Sequence, residues 1–317
     1  MCRDRGLKKR AVVHLRHHRL SLCEEHFLIW FERRIERTIK EFKMIEPGEK
    51  VLVAVSGGKD SIALWYVLDK LGYETGGLYI DMGIGEGSGG YSSLSKNVCG
   101  GFADKIGRPL HIVSVEKEFG KPLPLLMEHT GRPACSLCST IKRYYMNRAA
   151  KEYGYDVVAT GHNLDDEAAV LLGNTVNWEV EYLRRQYPVL PGGDGFVKKV
   201  KPMCKVTEKE SALYMLLKGI DYVREECPYS VGATTIKNKE LLIEMEEKSP
   251  GFRIRFYTSF LKKMYPVLAT LSKTTDISGG HGHGSHAPLS RCKICGEPSS
   301  ADVCPVCRLR YKTGAQN

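Results

Sequence analysis

No stretch of this chain approaches the roughly 18 consecutive apolar residues that a membrane-spanning helix needs. The N-terminus, Met-Cys-Arg-Asp-Arg-Gly-Leu-Lys-Lys-Arg, is polar and basic and lacks the apolar centre of a secretory signal. An acidic surplus is missing too: 47 Lys+Arg stand against 37 Asp+Glu, a formal charge of +10. A cytoplasmic protein without a membrane partner is therefore expected. The charge is also nearly absent from the middle, since residues 1–50 hold 13 basic against 8 acidic residues and residues 291–317 hold 5 against 2. Basic ends around a near-neutral centre fit a polyanion gripped from outside a central domain, or simply a solvated basic surface. Eleven cysteines in such a chain argue for metal or redox work rather than structural disulfides. At 317 residues, one main domain plus small modules is the expectation.

The central feature is residues 51–61, Val-Leu-Val-Ala-Val-Ser-Gly-Gly-Lys-Asp-Ser. Five apolar, mostly β-branched residues predict a buried strand. Ser56-Gly57-Gly58 then turns the chain, and Asp60-Ser61 opens a helix running through Ile62, Leu64, Trp65 and Leu68. Strand, glycine turn and helix start bring free backbone N–H groups and a positive dipole end to one point, which suits a pyrophosphate. A Walker loop is excluded, because Val53 stands where that pattern needs Gly and Asp60 where it needs Ser or Thr. The Ser-Gly-Gly-Lys-Asp-Ser run resembles the loop of the PP-loop ATP pyrophosphatases, which split ATP between its α and β phosphates and adenylate a carbonyl oxygen. Further strands are predicted at 77–81, 110–115 and 156–160, with helical stretches between them. The fold class expected is α/β, a doubly wound parallel sheet with small N- and C-terminal zinc modules. The loops after Val55 and after Thr160 then share the carboxyl edge where ligands bind. Gly85-Glu86-Gly87-Ser88-Gly89-Gly90 satisfies a dinucleotide fingerprint formally, but it follows the second strand and reads better as a lid.

Upstream, residues 23–43 predict an amphipathic helix with Phe27, Phe31, Ile35, Ile39 and Phe42 on one stripe. Cys23 and His26 at its start are half of a zinc site. The other half is incomplete: Cys2 lacks a second cysteine at position 5, where Arg5 stands. His14, His17 or His18 is a candidate supplementary ligand; the alternative is a degenerate finger kept for its basic surface. Near the C-terminus, Cys292-x-x-Cys295 and Cys304-x-x-Cys307 fit two knuckles around one tetrahedral zinc, the strongest metal signal in the chain. Residues 272–290, rich in Ser, Thr, Gly and His, read as a flexible linker containing His281, His283 and His286. The expected division is a zinc-finger-like module at 1–26, a catalytic domain at 27–271, the linker at 272–290 and a zinc ribbon at 291–317.

In the centre lie Cys135-Ser136-Leu137-Cys138 and, far downstream, Cys227-Pro228. Three thiolates can hold three irons of a 4Fe–4S cluster and leave the fourth open. Gly161-His162-Asn163-Leu164-Asp165-Asp166-Glu167 follows the fourth strand; its adjacent acids suit Mg²⁺ binding, base catalysis or helix capping by Asp165. His162 either orients the loop or takes part in chemistry. Cys99 and Cys204 remain as structural thiols.

Together these motifs resemble the tRNA 2-thiolation enzymes of the TtcA/TtuA type, over nearly the whole chain. The terminal cysteine modules place it with the TtuA-like branch. The resemblance implies a tRNA substrate, ATP with Mg²⁺, a 4Fe–4S cluster on Cys135, Cys138 and Cys227 that binds the transferred sulfur, and Zn²⁺ at the ends. It implies Lys142 and Asp166 as the catalytic pair. ATP would lie on Ser56, Gly57, Gly58, Lys59, Asp60, Ser61 and Gly161, with adenine near Ala54 and Ile80. A uridine is adenylated at O2 and thiolated at C2, at position 54 by the branch resemblance or at wobble position 34. A ubiquitin-like protein thiocarboxylate as sulfur donor and a homodimer are further expectations of the family. Rival readings are a cluster-free persulfide relay, another PP-loop ligase, or a tRNA-binding zinc protein without catalysis.

Overall fold

The computed structural model describes residues 2–4, 7–85, 90–230, 234–271 and 290–314. Two antiparallel hairpins open the chain, Cys2–Asp4 with Leu7–Lys9 and Val13–Leu15 with Leu20–Leu22. A 3₁₀ turn at Arg16–His18, ended by left-handed Arg19 (φ 53°), closes the second. Helix α1 (Glu24–Glu41) follows, with Glu24 and Glu25 at its positive end. Its predicted apolar stripe is the buried one: Phe27, Phe31, Ile35 and Ile39 all sink into the core, with Phe42 packed at the edge.

The central domain then alternates: β1 (Val51–Val55), α2 (Lys59–Lys70), β2 (Thr75–Asp81), α3 (Tyr91–Ile106), β3 (Leu110–Ser114), α4 (Ala134–Glu152), β4 (Val157–Thr160) and α5 (Leu164–Val176). The sheet order is β3-β2-β1-β4, all parallel. Side chains alternate between its faces as the pleat requires. Val51, Val53, Val55, Tyr79, Val157 and Ala159 pack into one core, and Leu52, Leu78, Ile80 and Val158 into the other. Both faces are covered, so the sheet is doubly wound. The direction of winding reverses between β1 and β4.

Two strands not predicted from the sequence extend the sheet beyond β4. β5 (Val189–Leu190) and β6 (Lys198–Val200) enter in the order β4-β6-β5, β6 parallel to β4 and β5 antiparallel to β6. The sheet is thus mixed rather than wholly parallel. Lys198-Lys199-Val200 hides its strand character behind two lysines, yet Lys198 is neutralised by Glu49 at 2.7 Å. Helix α6 (Glu208–Lys218) carries a Thr207/Glu210 capping box, and α7 (Thr234–Lys248) and α8 (Phe252–Ser259) cover α5. The chain continues past α8 through a π turn at Phe260–Met264.

Helix α9 (Pro305–Thr313) ends the described chain. Its Val306 and Leu309 are buried in the same cluster as Leu137, Ile141 and Tyr145 of α4. At about 1.5–3 kcal/mol for each fully buried aliphatic side chain, this is a docked module rather than an appendage. Asn147 Nδ2 donates to Glu297 Oε2 (2.6 Å), Lys151 pairs with Glu297, and Arg310 donates to Tyr145 Oη (2.8 Å). Residues 272–289 of the linker expected at 272–290, with His281, His283 and His286, lie outside the described residues, as do 86–89 of the glycine-rich run, whereas Ser290 is already in a strand. None of the described helices is long and apolar enough to cross a membrane.

Candidate active site

A cavity of about 400 Å³ opens at the carboxyl ends of β1, β2 and β4. Its floor is the turn after β1. Gly57 stands at φ +81°, and a Cβ there would lie 3.0–3.1 Å from Val223 Cγ2 and the Ser95 backbone. Ser61 Oγ accepts from Ser56 N (3.1 Å) and donates to the Gly58 carbonyl (3.0 Å), fixing the turn's shape. Gly58 caps α2 without a side-chain cap, so the first-turn amides are free to face an anion. Ala54, Ser56, Gly58, Asp60, Ser61 and Ile80 line the cavity. Lys59 does not: its ammonium is held by Glu208 (2.7 Å) and Asp60 (3.2 Å).

The second wall comes from the turn after β4. A Cβ on Gly161 would meet Ser61 N at 2.9 Å and Asp60 C at 3.0 Å, so glycine lets this turn pack on the start of α2. His162 lines the cavity and is tied to Thr160 Oγ1 (2.8 Å); burial and nearby Lys201 push its pKa down. Capping of α5 falls to Asn163 and Asp166 rather than to Asp165. Asn163 Oδ1 accepts from Asp166 N and Asp166 Oδ2 from Asn163 N, both at 3.1 Å. Asp165 is buried and committed elsewhere, to the Arg253 guanidinium and to Glu208 N (2.8 Å). Asp166 keeps a face on the cavity. Burial opposes its charge, but the Lys239 ammonium at 2.5 Å outweighs that and holds the carboxyl below its usual range. Asp60 goes the other way: burial, with Asp166 close by, raises it despite Lys59, and its Oδ1 is buried without a hydrogen-bond partner among the described residues. Lys239, from α7, had no signal in the sequence because nothing local ties it to the motif it serves. Tyr91, Met82 and Met146 also line the cavity and were not anticipated.

Cys138, Lys142 and Cys227 lie on the far wall. Cys135 sits one turn earlier on α4, exposed, its Sγ 3.5 Å from the Tyr229 carbonyl and thus beside the Cys227 segment. Burial raises the Cys138 thiol, while Lys142 hydrogen-bonds it and favours the thiolate. Cys227 and Cys135 are near enough to raise it further by charge. None of the three is in a disulfide. They do not form a group with all ligand atoms within 4.8 Å of one another, as a single zinc would require. Three neighbouring thiols, not gathered closely enough for one ion and two of them facing a nucleotide-sized cavity, fit the donor set of a polynuclear cluster.

The four C-terminal cysteines contrast with them. Cys292, Cys295, Cys304 and Cys307 do lie within 4.8 Å of one another, with Cys295 and Cys304 sulfurs 3.7 Å apart. A tetrahedron of Zn–S bonds near 2.3 Å has edges of about 3.8 Å. The amides of Cys295, Cys304 and Ile294 bring the Cys292 thiol down to about 6 against its burial. At the N-terminus, Cys23 Sγ and His26 Nδ1 are 3.0 Å apart. The side chain of Cys2 and all of Arg5 lie outside the description. Of the three candidate supplementary ligands, His14 bonds Ser21 (2.8 Å), whereas His17 and His18 face Glu210.

A twisted parallel sheet with a glycine anion loop after its first strand, opposed by a Gly-His-Asn-Leu-Asp-Asp turn, defines the PP-loop class of ATP-using enzymes. Residues 30–177 match the PP-loop domain family, and residues 8–28 match the N-terminal LIM domain of 2-thiouridine synthetase TtuA. The chain belongs to the family of the tRNA-5-methyluridine(54) 2-sulfurtransferases. It is 46% identical to the one from Thermus thermophilus, over 98% of this chain and 90% of that one. It is 42% identical to the one from Pyrococcus horikoshii, over 95% and 91%. In solved structures it resembles the U34-tRNA thiolase NcsA from Methanococcus maripaludis with its [4Fe-4S] cluster, with a TM-score of 0.76 at 26% identity over 98% of this chain and 95% of that one.

Proposed function

We propose that this enzyme uses ATP to convert a tRNA uridine to 2-thiouridine at position 54, within a chain divided at 1–26, 27–271, 272–290 and 291–317. One observation carries the reading: a single cavity has the anion loop on one wall and Cys138, Lys142 and Cys227 on another. The phosphates of ATP rest on the amides around Ser56 to Ser61, with the base between Ala54 and Ile80. The uridine O2 attacks the α-phosphorus, pyrophosphate leaves, and the oxygen becomes part of an AMP leaving group. A sulfur nucleophile then adds at C2 and expels AMP. Lys142 stabilises the charge that develops on the phosphate, and Asp166 moves the proton. Asp60, with its unpartnered oxygen, and Asp166 would hold Mg²⁺, which supplies neutralisation of phosphate charge. Cys135, Cys138 and Cys227 would hold the cluster, whose iron without a protein ligand supplies the binding place for the transferred sulfur. Cys292, Cys295, Cys304 and Cys307, and in the other module Cys23, His26 and Cys2, would hold zinc.

Position 54 is favoured over 34 by the higher identity to the methyluridine(54) enzymes. By family resemblance, a ubiquitin-like thiocarboxylate carrier delivers sulfur and the enzyme is a cytoplasmic homodimer. The test is anaerobic assay of Cys135→Ala with transcript tRNA, followed by nucleoside mass spectrometry. ATP affinity should stay within about 2-fold while 2-thiouridine formation disappears. Undiminished thiolation in that variant, or thiolation at 34, would overturn the corresponding part.

A further inference from the structure

His17 and His18 stand at the tip of the second N-terminal hairpin, where it meets α6. His17 Nε2 lies 3.0 Å and His18 Nε2 3.9 Å from Glu210 Oε1, and the three ligand atoms fall within 4.8 Å of one another. A tetrahedral ion with bonds near 2.0 Å has ligand–ligand edges of about 3.3 Å, between those two separations. Glu210 is buried, with 2% of its side chain exposed. Its other oxygen, Oε2, accepts from Thr207 N (2.7 Å) in the capping box, so Oε1 is available without uncapping the helix. A hydrogen bond to Glu210 Oε1 accounts for His17 alone. His18 Nε2 is buried and has no hydrogen-bond partner among the described residues, although it points at the same carboxylate oxygen.

We propose that His17 Nε2, His18 Nε2 and Glu210 Oε1 form a divalent transition-metal site, with zinc as the ion these ligands suit, pinning the N-terminal hairpin to α6. Two imidazoles and one carboxylate are a zinc donor set with one position left for water. Water has room there: His17 and Glu210 border a cavity of about 310 Å³ that Thr207, Lys209, Glu246 and Glu247 also line. Arg34 and Glu246 act on His18 with opposite sign, Arg34 the more strongly. The site is separate from the Cys23/His26 pair and from the C-terminal four-cysteine cluster, and it supplies a cross-link where position 5 offers Arg in place of a cysteine.

The test compares the full chain with His18→Gln and His17→Asn after dialysis into metal-free buffer and titration with zinc. Wild type should retain one more zinc per chain than either variant. Zinc should raise its melting temperature by several degrees, and affinity at this site should fall at least about 10-fold in the variants. Cobalt loaded there should give weak visible bands without the near-ultraviolet thiolate charge transfer of the four-cysteine site. Circular dichroism shows that the variants are folded. Equal zinc content in wild type and a folded His18→Gln chain would overturn the site and leave a hydrogen-bonded His17–Glu210 pair beside a buried histidine.

Discussion

Gly161→Ala is the sharpest probe of the cradle, because its effect is steric and its size can be read from distances. Gly161 does not use a left-handed conformation, so alanine is acceptable to its own backbone. The added Cβ would nonetheless sit 2.9 Å from Ser61 N and 3.0 Å from both Asp60 C and Ser61 Cα. All three are backbone atoms of the first turn of α2, and no side chain can swing aside. Relief to ordinary contact needs a shift of roughly 0.5 Å between the two turns that border the cavity. Overpacking of this kind costs about 1–3 kcal/mol of stability. A 1 Å misplacement at a reacting centre costs about 100-fold, so half that distance predicts a roughly 10-fold fall in pyrophosphate release. Gly100→Ala is the control: it lies inside α3 with nothing within 4 Å of its Cβ and should stabilise by about 0.5–1 kcal/mol. Urea unfolding and pyrophosphate release with tRNA measure the two quantities. Wild-type pyrophosphate release by Gly161→Ala would refute the claim that these two turns are pressed together to place phosphates.

Two other perturbations separate support from chemistry. Asp165→Asn leaves the buried Arg253 guanidinium without its carboxylate partner, and breaking a buried pair costs about 3–5 kcal/mol; urea unfolding should show a loss in this range, and a loss below about 1 kcal/mol would mean that Glu246, 3.4 Å from Arg253 Nε, suffices. Lys239→Met acts through pH: Asp166, held below the usual carboxylate range, keeps its charge above its ordinary pKa of about 3.9 and loses it only as pH falls through the lowered value. Without the ammonium, burial prevails and the pKa moves up, so the acid limb of the pyrophosphate-release profile should shift to higher pH, and an unmoved limb would remove Lys239 from the role.

What the sequence disclosed and what it hid follow one physical division. β1 to β4 are short apolar runs ending in turns, and periodicity with glycine placement suffices to find them. β5 and β6 are two and three residues long, and the charges on Lys198 and Lys199 mask a backbone that pairs only because β4 offers a free edge. The anion loop is legible because one strand, one turn and one helix make it. Lys239, Tyr91 and Met146 are not, since each reaches the cavity from a separate element. Asp165 and Asp166 are adjacent, and only the family resemblance singles out Asp166 in the sequence. Their roles diverge because successive residues on α5 point in different directions, one toward Arg253 and the other toward the cavity.

The placement of α4 has a mechanical consequence. One end of this rod presents Cys138 and Lys142 to the cavity, with Cys135 a turn away beside the Cys227 segment, and Tyr145, Asn147 and Lys151 bolt the other to the thiol-rich C-terminal bracket. An oxidant that unlocks the bracket therefore slackens the strut beneath the reactive sulfurs, even if it never touches them. With zinc on those four cysteines, as proposed above, its release and the decline of tRNA thiolation should then keep pace under mild oxidation.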